Sequence, residues 1–72
     1  MAYVPPIVGS ATAGGPAYLI AWEHLPNGSW GGHIAWVELE DEAWKVRSAR
    51  VTADDLEPLE GQRYGRVPRR DL

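Results

Sequence analysis

Few side chains in this chain have the type and spacing for covalent chemistry. The only histidines are His24 and His33. They fall on different predicted strands and face opposite ways, and no third or fourth ligand accompanies them, so they do not form a metal site. Ser10, Ser29 and Ser48 are the available hydroxyl nucleophiles among the serines, and none stands in a G-x-S-x-G elbow. Adjacent acids occur as Glu40-Asp41-Glu42 and Asp54-Asp55, in segments that read as turns, where carboxylates serve as solvated caps. Gly14-Gly15 and Gly31-Gly32 match neither phosphate-loop pattern. The chain therefore reads as non-enzymatic, with no metal and no cofactor.

Charge and aromatic content are more informative. Residues 1–60 carry three basic and nine acidic side chains, whereas residues 61–72 carry four arginines and one aspartate. Arg63, Arg66, Arg69 and Arg70 are thus candidate contacts for phosphate or an acidic partner, because guanidinium forks suit both. The acidic remainder opposes a nucleic-acid backbone, and Asp54, Asp55, Glu57 and Glu60 are alternative partners for the same arginines. Four tryptophans and three tyrosines in 72 residues supply large apolar area to a chain with no cysteine for a disulfide. A chain this short buries only about 60% of its unfolded surface, so packing or association must stabilise it.

The elements that would position these groups are mostly strands. Residues 1–16 read as a flexible arm or linker, with Val4-Pro5-Pro6-Ile7-Val8 extended and a small-residue run after it. Alternatively, Tyr3 to Val8 adds as an edge strand. Residues 17–72 read as one domain with a basic tail. Segments 17–24 and 30–39 form a hairpin around Leu25-Pro26-Asn27-Gly28-Ser29, a strong turn signal. Centring that turn on Asn27 sets Tyr18 against Trp36, Ile20 against Ile34, Trp22 against Gly32 and His24 against Trp30. Residues 44–51 form a third strand after an acidic loop, which sets Leu39 against Trp44 and Val37 against Val46. Thr52 then caps a single helical turn, which Pro58 keeps short. Residues 62–68 alternate weakly, as a short last strand would.

Alternation assigns each residue of a strand to one face. One face carries Tyr18, Ile20, Trp22, Trp30, Ile34 and Trp36, with Arg47, Ala49 and Val51 from the third strand. The other carries Ala17, Leu19, Ala21, Ala35, Val37 and Leu39, with Trp44, Val46 and Ser48. Neither face is polar, so something covers both, or one is a binding surface. The small aliphatic face suits a barrel interior. The aromatic face is covered by the chain's own ends, by a second copy, or by a partner. Tyr18, Trp22, Trp30, Trp36 and Arg47 form the expected contact patch, with Arg47 placed to stack on Trp36.

The order of elements over residues 17–68 resembles that of SH3-like barrels, which include SH3 and Tudor domains. Leu56-Glu57-Pro58-Leu59, followed by Tyr64 and Val67-Pro68, is similar in kind to the SH3 segment around the one-turn helix. The first-strand aromatic signature and adjacent tryptophan pair of peptide-binding SH3 domains are absent. The resemblance implies a fold and a contact function, and it transfers no functional residue. Tudor domains read methylated side chains with an aromatic cage, for which Tyr18, Trp22, Trp30 and Trp36 are candidate walls.

The expected fold is mostly β: a small SH3-like barrel, or a strongly bent antiparallel sheet of 4–5 strands with one helical turn. The expected function is a non-enzymatic protein-interaction module that contacts a protein partner or a second copy of itself. The alternative is a nucleic-acid-binding barrel using the arginines and aromatics. No apolar run is long enough to cross a membrane as a helix and no signal peptide is evident, so the expected compartment is the cytoplasm and no membrane partner is expected.

Overall fold

The computed structural model describes residues 4–71. Tyr3, at the start of the expected edge strand, lies outside them. Six strands follow in order: β1 Ile7–Ser10, β2 Gly15–His24, β3 Trp30–Glu40, β4 Ala43–Thr52, β5 Leu56–Pro58 and β6 Arg69–Asp71. A single 3₁₀ turn, Ala53–Asp55, separates β4 from β5; Thr52 holds its N-cap position but makes no side-chain cap hydrogen bond, contrary to the expected capping role. The main sheet order is β4-β3-β2-β1-β5, antiparallel throughout, and β6 adds to β2 in parallel. The edges β4 and β5 do not pair with each other, so this is a small open antiparallel sheet and not a closed barrel.

The boundary drawn at residue 16 does not separate an arm from the domain. Ile7–Ser10 is an inner strand between β2 and β5, with Val8 buried in the core. The small residues that suggested a linker instead build a tight turn, in which Gly14 adopts φ 77° and its amide donates to the Ala11 carbonyl. The Ser10 hydroxyl donates to Asp55 (2.5 Å), tying this corner to the 3₁₀ turn.

The β2–β3 turn forms where the sequence places it. Gly28 has φ 88°, and the Asn27 side chain accepts from the Ser29 amide and hydroxyl. The register beside it is also as expected, Trp22 with Gly32 and His24 with Trp30. A bulge at Ile20 then shifts the register by one, so Tyr18 meets Ala35 rather than Trp36, and Leu19 meets Ile34. An extra residue on one strand reverses the facing of everything beyond it.

That shift redistributes the two faces. Ala17 and Leu19 join Trp22, Ile34, Trp36, Ala49 and Val51 on one side, together with Val8, Leu56, Tyr64 and Val67. The core thus mixes the two faces that strict alternation separates. Gly32 lies within it: a Cβ there would come within 2.8 Å of Leu19 Cδ1 and 2.9 Å of Leu56 Cδ1. Gly31 is tighter still, since its Cβ would overlap the Val51 carbonyl oxygen.

The last strand is not at 62–68. That segment is a loop pinned by buried Val67 and by Tyr64, whose hydroxyl donates to the Ile7 carbonyl (2.7 Å). Pro68 cannot donate to a ladder, but its carbonyl accepts from the Trp22 amide at 2.8 Å, and this starts β6. Residues 69–71 then run beside Trp22, Glu23 and His24.

Candidate interaction surfaces

β3 and β4 outrun the rest of the sheet. Their pairing continues to Glu40–Ala43, whereas the β2–β3 pairing ends at Tyr18–Ala35. Trp36–Glu40 and Ala43–Arg47 therefore form a two-stranded arm. At its tip Asp41 and Glu42 both have positive φ (50° and 63°), as a two-residue type I′ turn requires. The four-residue loop expected at 40–43 is thus shorter by one pair, while the Leu39–Trp44 and Val37–Val46 pairs stand as expected.

The two faces of the arm differ in kind. One face zips itself together: the Trp36 indole donates to Glu38 (2.6 Å), and Arg47 pairs with Glu40 (2.5 Å) and Glu38 (3.7 Å). The guanidinium expected to stack on Trp36 is directed to these two carboxylates. The other face holds two adjacent cross-strand rows of apolar side chains, each more than half exposed: Val37 51%, Leu39 61%, Trp44 71% and Val46 79%. Alternation places these residues in a barrel interior, but no strand or segment among the described residues covers them.

The expected patch of Tyr18, Trp22, Trp30, Trp36 and Arg47 does not form one surface. Trp22 and Trp36 are half-buried against the core. Tyr18 is exposed on the opposite side of the sheet because of the bulge, and Arg47 belongs to the arm. Trp30 sits at the other end of β3, stacked on His24 with ring centroids 5.1 Å apart and planes 21° apart.

The four arginines also part company. Arg63 and Arg66 are exposed in the loop before β6. Arg69 and Arg70 are consecutive in β6 and so point to opposite faces. Arg69 lines an open cleft of about 250 Å3 with Trp22 and Trp30. Arg70 turns to Glu23 (3.9 Å), whose carboxylate also takes Arg50 at 2.6 Å. Glu23 is only 1% exposed, so this ion pair is the most deeply buried charge contact of the described residues. Its signal in the sequence is a lone acid directly after the apolar run Ala17–Trp22, on a strand, where something must neutralise it. Beside it, His33 Nδ1 is buried with no hydrogen-bond partner among the described residues.

A concavity of about 620 Å3 forms an open bowl lined by Ser10, Thr52, Asp54, Asp55 and Glu57 among others. Two of its three acids are already engaged. Asp55 accepts from Ser10 and Thr12. The Thr52 side chain hydrogen-bonds Asp54 and, with a backbone bond, holds its carboxyl below the ordinary value. No group of three metal-ligating side chains occurs among the described residues, and no helix is long and apolar enough to cross a membrane. Neither a protein-family model, nor a curated protein, nor a solved structure matches this chain.

Proposed function

We propose that this chain is a non-enzymatic contact module, of the general kind that SH3-like domains exemplify, and that its arm pairs with a second copy of itself. The observation that carries this reading is the arm's apolar face, Val37, Leu39, Trp44 and Val46. A two-stranded hairpin is marginal alone in water, and monomers rarely expose a contiguous apolar patch above a few hundred Å2. The buried core is also thin, with seven hydrophobic residues below the surface among those described. Burying one arm face against another would supply the missing apolar area in both copies.

Charge favours a second copy as the occupant. Val46, Ser48 and Arg50 share a face of β4 by alternation, so Arg50 lies about 13 Å along the strand from Val46. The acidic tip, Asp41-Glu42, lies about 15 Å from the Val37–Val46 row in the other direction. A two-fold axis through that row would lay each acidic tip over the partner's Arg50 end, where Arg50, although paired with Glu23, keeps about half of its side chain in solvent. An isologous interface needs this kind of self-complementarity.

Light scattering across a concentration series tests the reading. The intact chain is expected to run as a dimer, and Trp44→Ser with Val46→Ser to run as a folded monomer. A monomeric intact chain at all concentrations would overturn it. So would a dimer indifferent to both substitutions.

A further inference from the structure

At the end of β3 far from the arm tip, we propose that the cleft between Trp22, Trp30 and Arg69 seats one base of a single-stranded nucleic acid, with the adjoining phosphate on Arg69. This inference is independent of the arm.

The fold assembles the cleft from three strands. Trp22 and Arg69 are register partners on β2 and β6, so their side chains lie on the same face. On the other side of Trp22 stands Gly32, which adds no side chain beside the indole. One row on, His24 stacks against Trp30, and its Nε2 lies 3.0 Å from the Gly28 carbonyl oxygen. The Trp30 ring is therefore held in place while remaining nearly half exposed. A fixed, open indole is a stacking platform for any base, since every base has a π face.

Arg69 supplies the second half of the chemistry. Of the two arginines of β6, Arg70 is drawn to Glu23 on the opposite face. Arg69 forms no ion pair among the described residues and lines the cleft. A guanidinium beside two indoles disfavours a cationic guest such as a methylated lysine. It favours a flat ring that carries an anion.

Size and field decide between a small ligand and a strand. Sites that engulf drug-sized ligands run to roughly 300–1,000 Å3. The cleft, at about 250 Å3 and open, holds one ring and leaves the rest of the ligand outside. Taken over the whole chain, the net charge of −3 opposes a polyanion. Yet Glu38, Glu40, Asp41 and Glu42 lie toward the arm tip, about 26 Å or more along β3 from Trp30. That is about three Debye lengths or more at physiological salt, so they are largely screened from the cleft. Of the nearer acids, Glu23 is paired with Arg50 and Arg70 on the opposite face, and Asp71 stands in register with His24.

Fluorescence anisotropy of a labelled oligo-deoxythymidine strand tests the site in the intact chain. Binding is expected at low salt and should weaken as salt rises from about 50 to 200 mM. Arg69→Ala should weaken binding about tenfold and flatten the slope of log affinity against log salt by about 0.7. Trp30→Ala should weaken binding about tenfold with the slope unchanged, because stacking releases no counterion. Circular dichroism checks that both variants keep their fold, which the exposure of both side chains leads one to expect. Trp44→Ser, on the arm, should bind as the parent does. No binding at low salt would overturn the proposal, as would binding indifferent to both cleft substitutions. Thymidine monophosphate competing as well as the strand, residue for residue, would overturn the strand and leave a free-nucleotide site.

Discussion

The body of the sheet and its arm are built from the same two strands, yet they are held by different forces. Where β3 runs beside β2, Ile34 is fully buried and Gly31 and Gly32 are pressed against neighbouring backbone and side chains. A few residues on, β3 has lost β2, and Val37 and Leu39 are mostly exposed although their chemistry is the same. Burial here is decided by whether a third strand is present, not by the hydrophobicity of the segment. The lesson is that an apolar strand run beyond its sheet neighbour marks a surface awaiting one.

The sharpest way to break this contrast is at Gly31. A methyl there would overlap the Val51 carbonyl oxygen, and backbone cannot swing aside as a side-chain tip can. Gly31→Ala should cost at least about 3 kcal/mol, the upper end of overpacking penalties. In a domain of marginal stability that is a large fraction of the total. The check is the urea midpoint at one fixed protein concentration, with unchanged m. Trp44→Ser, in the arm, should move the stability of the monomer by no more than about 0.5 kcal/mol, read against the parent at protein concentrations dilute enough to dissociate any dimer. A mild effect at Gly31 would make the body as pliable as the arm and remove the distinction.

The Glu23 cluster sharpens it further. Glu23 is buried, while the Arg50 side chain that pairs with it is 54% exposed. Arg50→Ala leaves the carboxylate in the interior with only Arg70, at 3.9 Å. Stranding a buried charge costs more than removing it, so about 2 kcal/mol is expected, discounted from the full buried-pair figure because Arg50 reaches solvent. Glu23→Gln keeps the shape and removes the buried charge, and should cost about 1 kcal/mol or less. Denaturant melts of the two variants decide it: a Gln variant less stable than the Ala variant would mean that Glu23 is not effectively buried. In the arm, the same kind of contact between Arg47 and Glu38 or Glu40 is solvent-exposed on both sides and adds little.

Much of the strand layout was legible because its signals are local. The Asn27-Gly28 turn, the Trp22–Gly32 and His24–Trp30 pairs, the register of β4 and the single turn after Thr52 all follow from turn chemistry and alternation. The mixing of faces was not legible, because Ile20 carries no mark of a bulge. Its extra position is stabilised by the outcome, which lets Leu19 and Trp22 both reach the core. β6 was hidden for a related reason, and β1 was legible only in part, through the alternative strand Tyr3–Val8. Ile7–Ser10 and Arg69–Asp71 are short and have little pattern of their own, and their pairing with β2 is a tertiary fact. As for the surfaces, Trp22, Trp30 and Arg69 were each candidates in the sequence, but their meeting in one cleft depended on β6. The arm's apolar rows were visible as a face and misplaced as an interior.

The smallest expected effect lies at the arm tip. Type I′ turns favour glycine, yet here Asp41 and Glu42 hold positive φ with full side chains. Aspartate tolerates the left-handed region better than glutamate, which lacks a short side chain to bond its own backbone. Glu42→Gly removes the steric cost at that position and pays part of it back in chain entropy. A net gain of roughly 0.5–1 kcal/mol is expected for the hairpin, read as slower amide exchange along Trp36–Glu40 and Ala43–Arg47. Exchange in the body, at Leu19 and Ile34, should not change. Retained Asp41 and the untouched apolar rows leave the pairing surface intact, so the variant should dimerise at least as well as the parent. A loss of dimer on Glu42→Gly would instead place the Glu42 carboxylate itself in the contact, opposite Arg50 of the second copy, and would make charge rather than apolar burial the stronger of the two forces at that end of the arm.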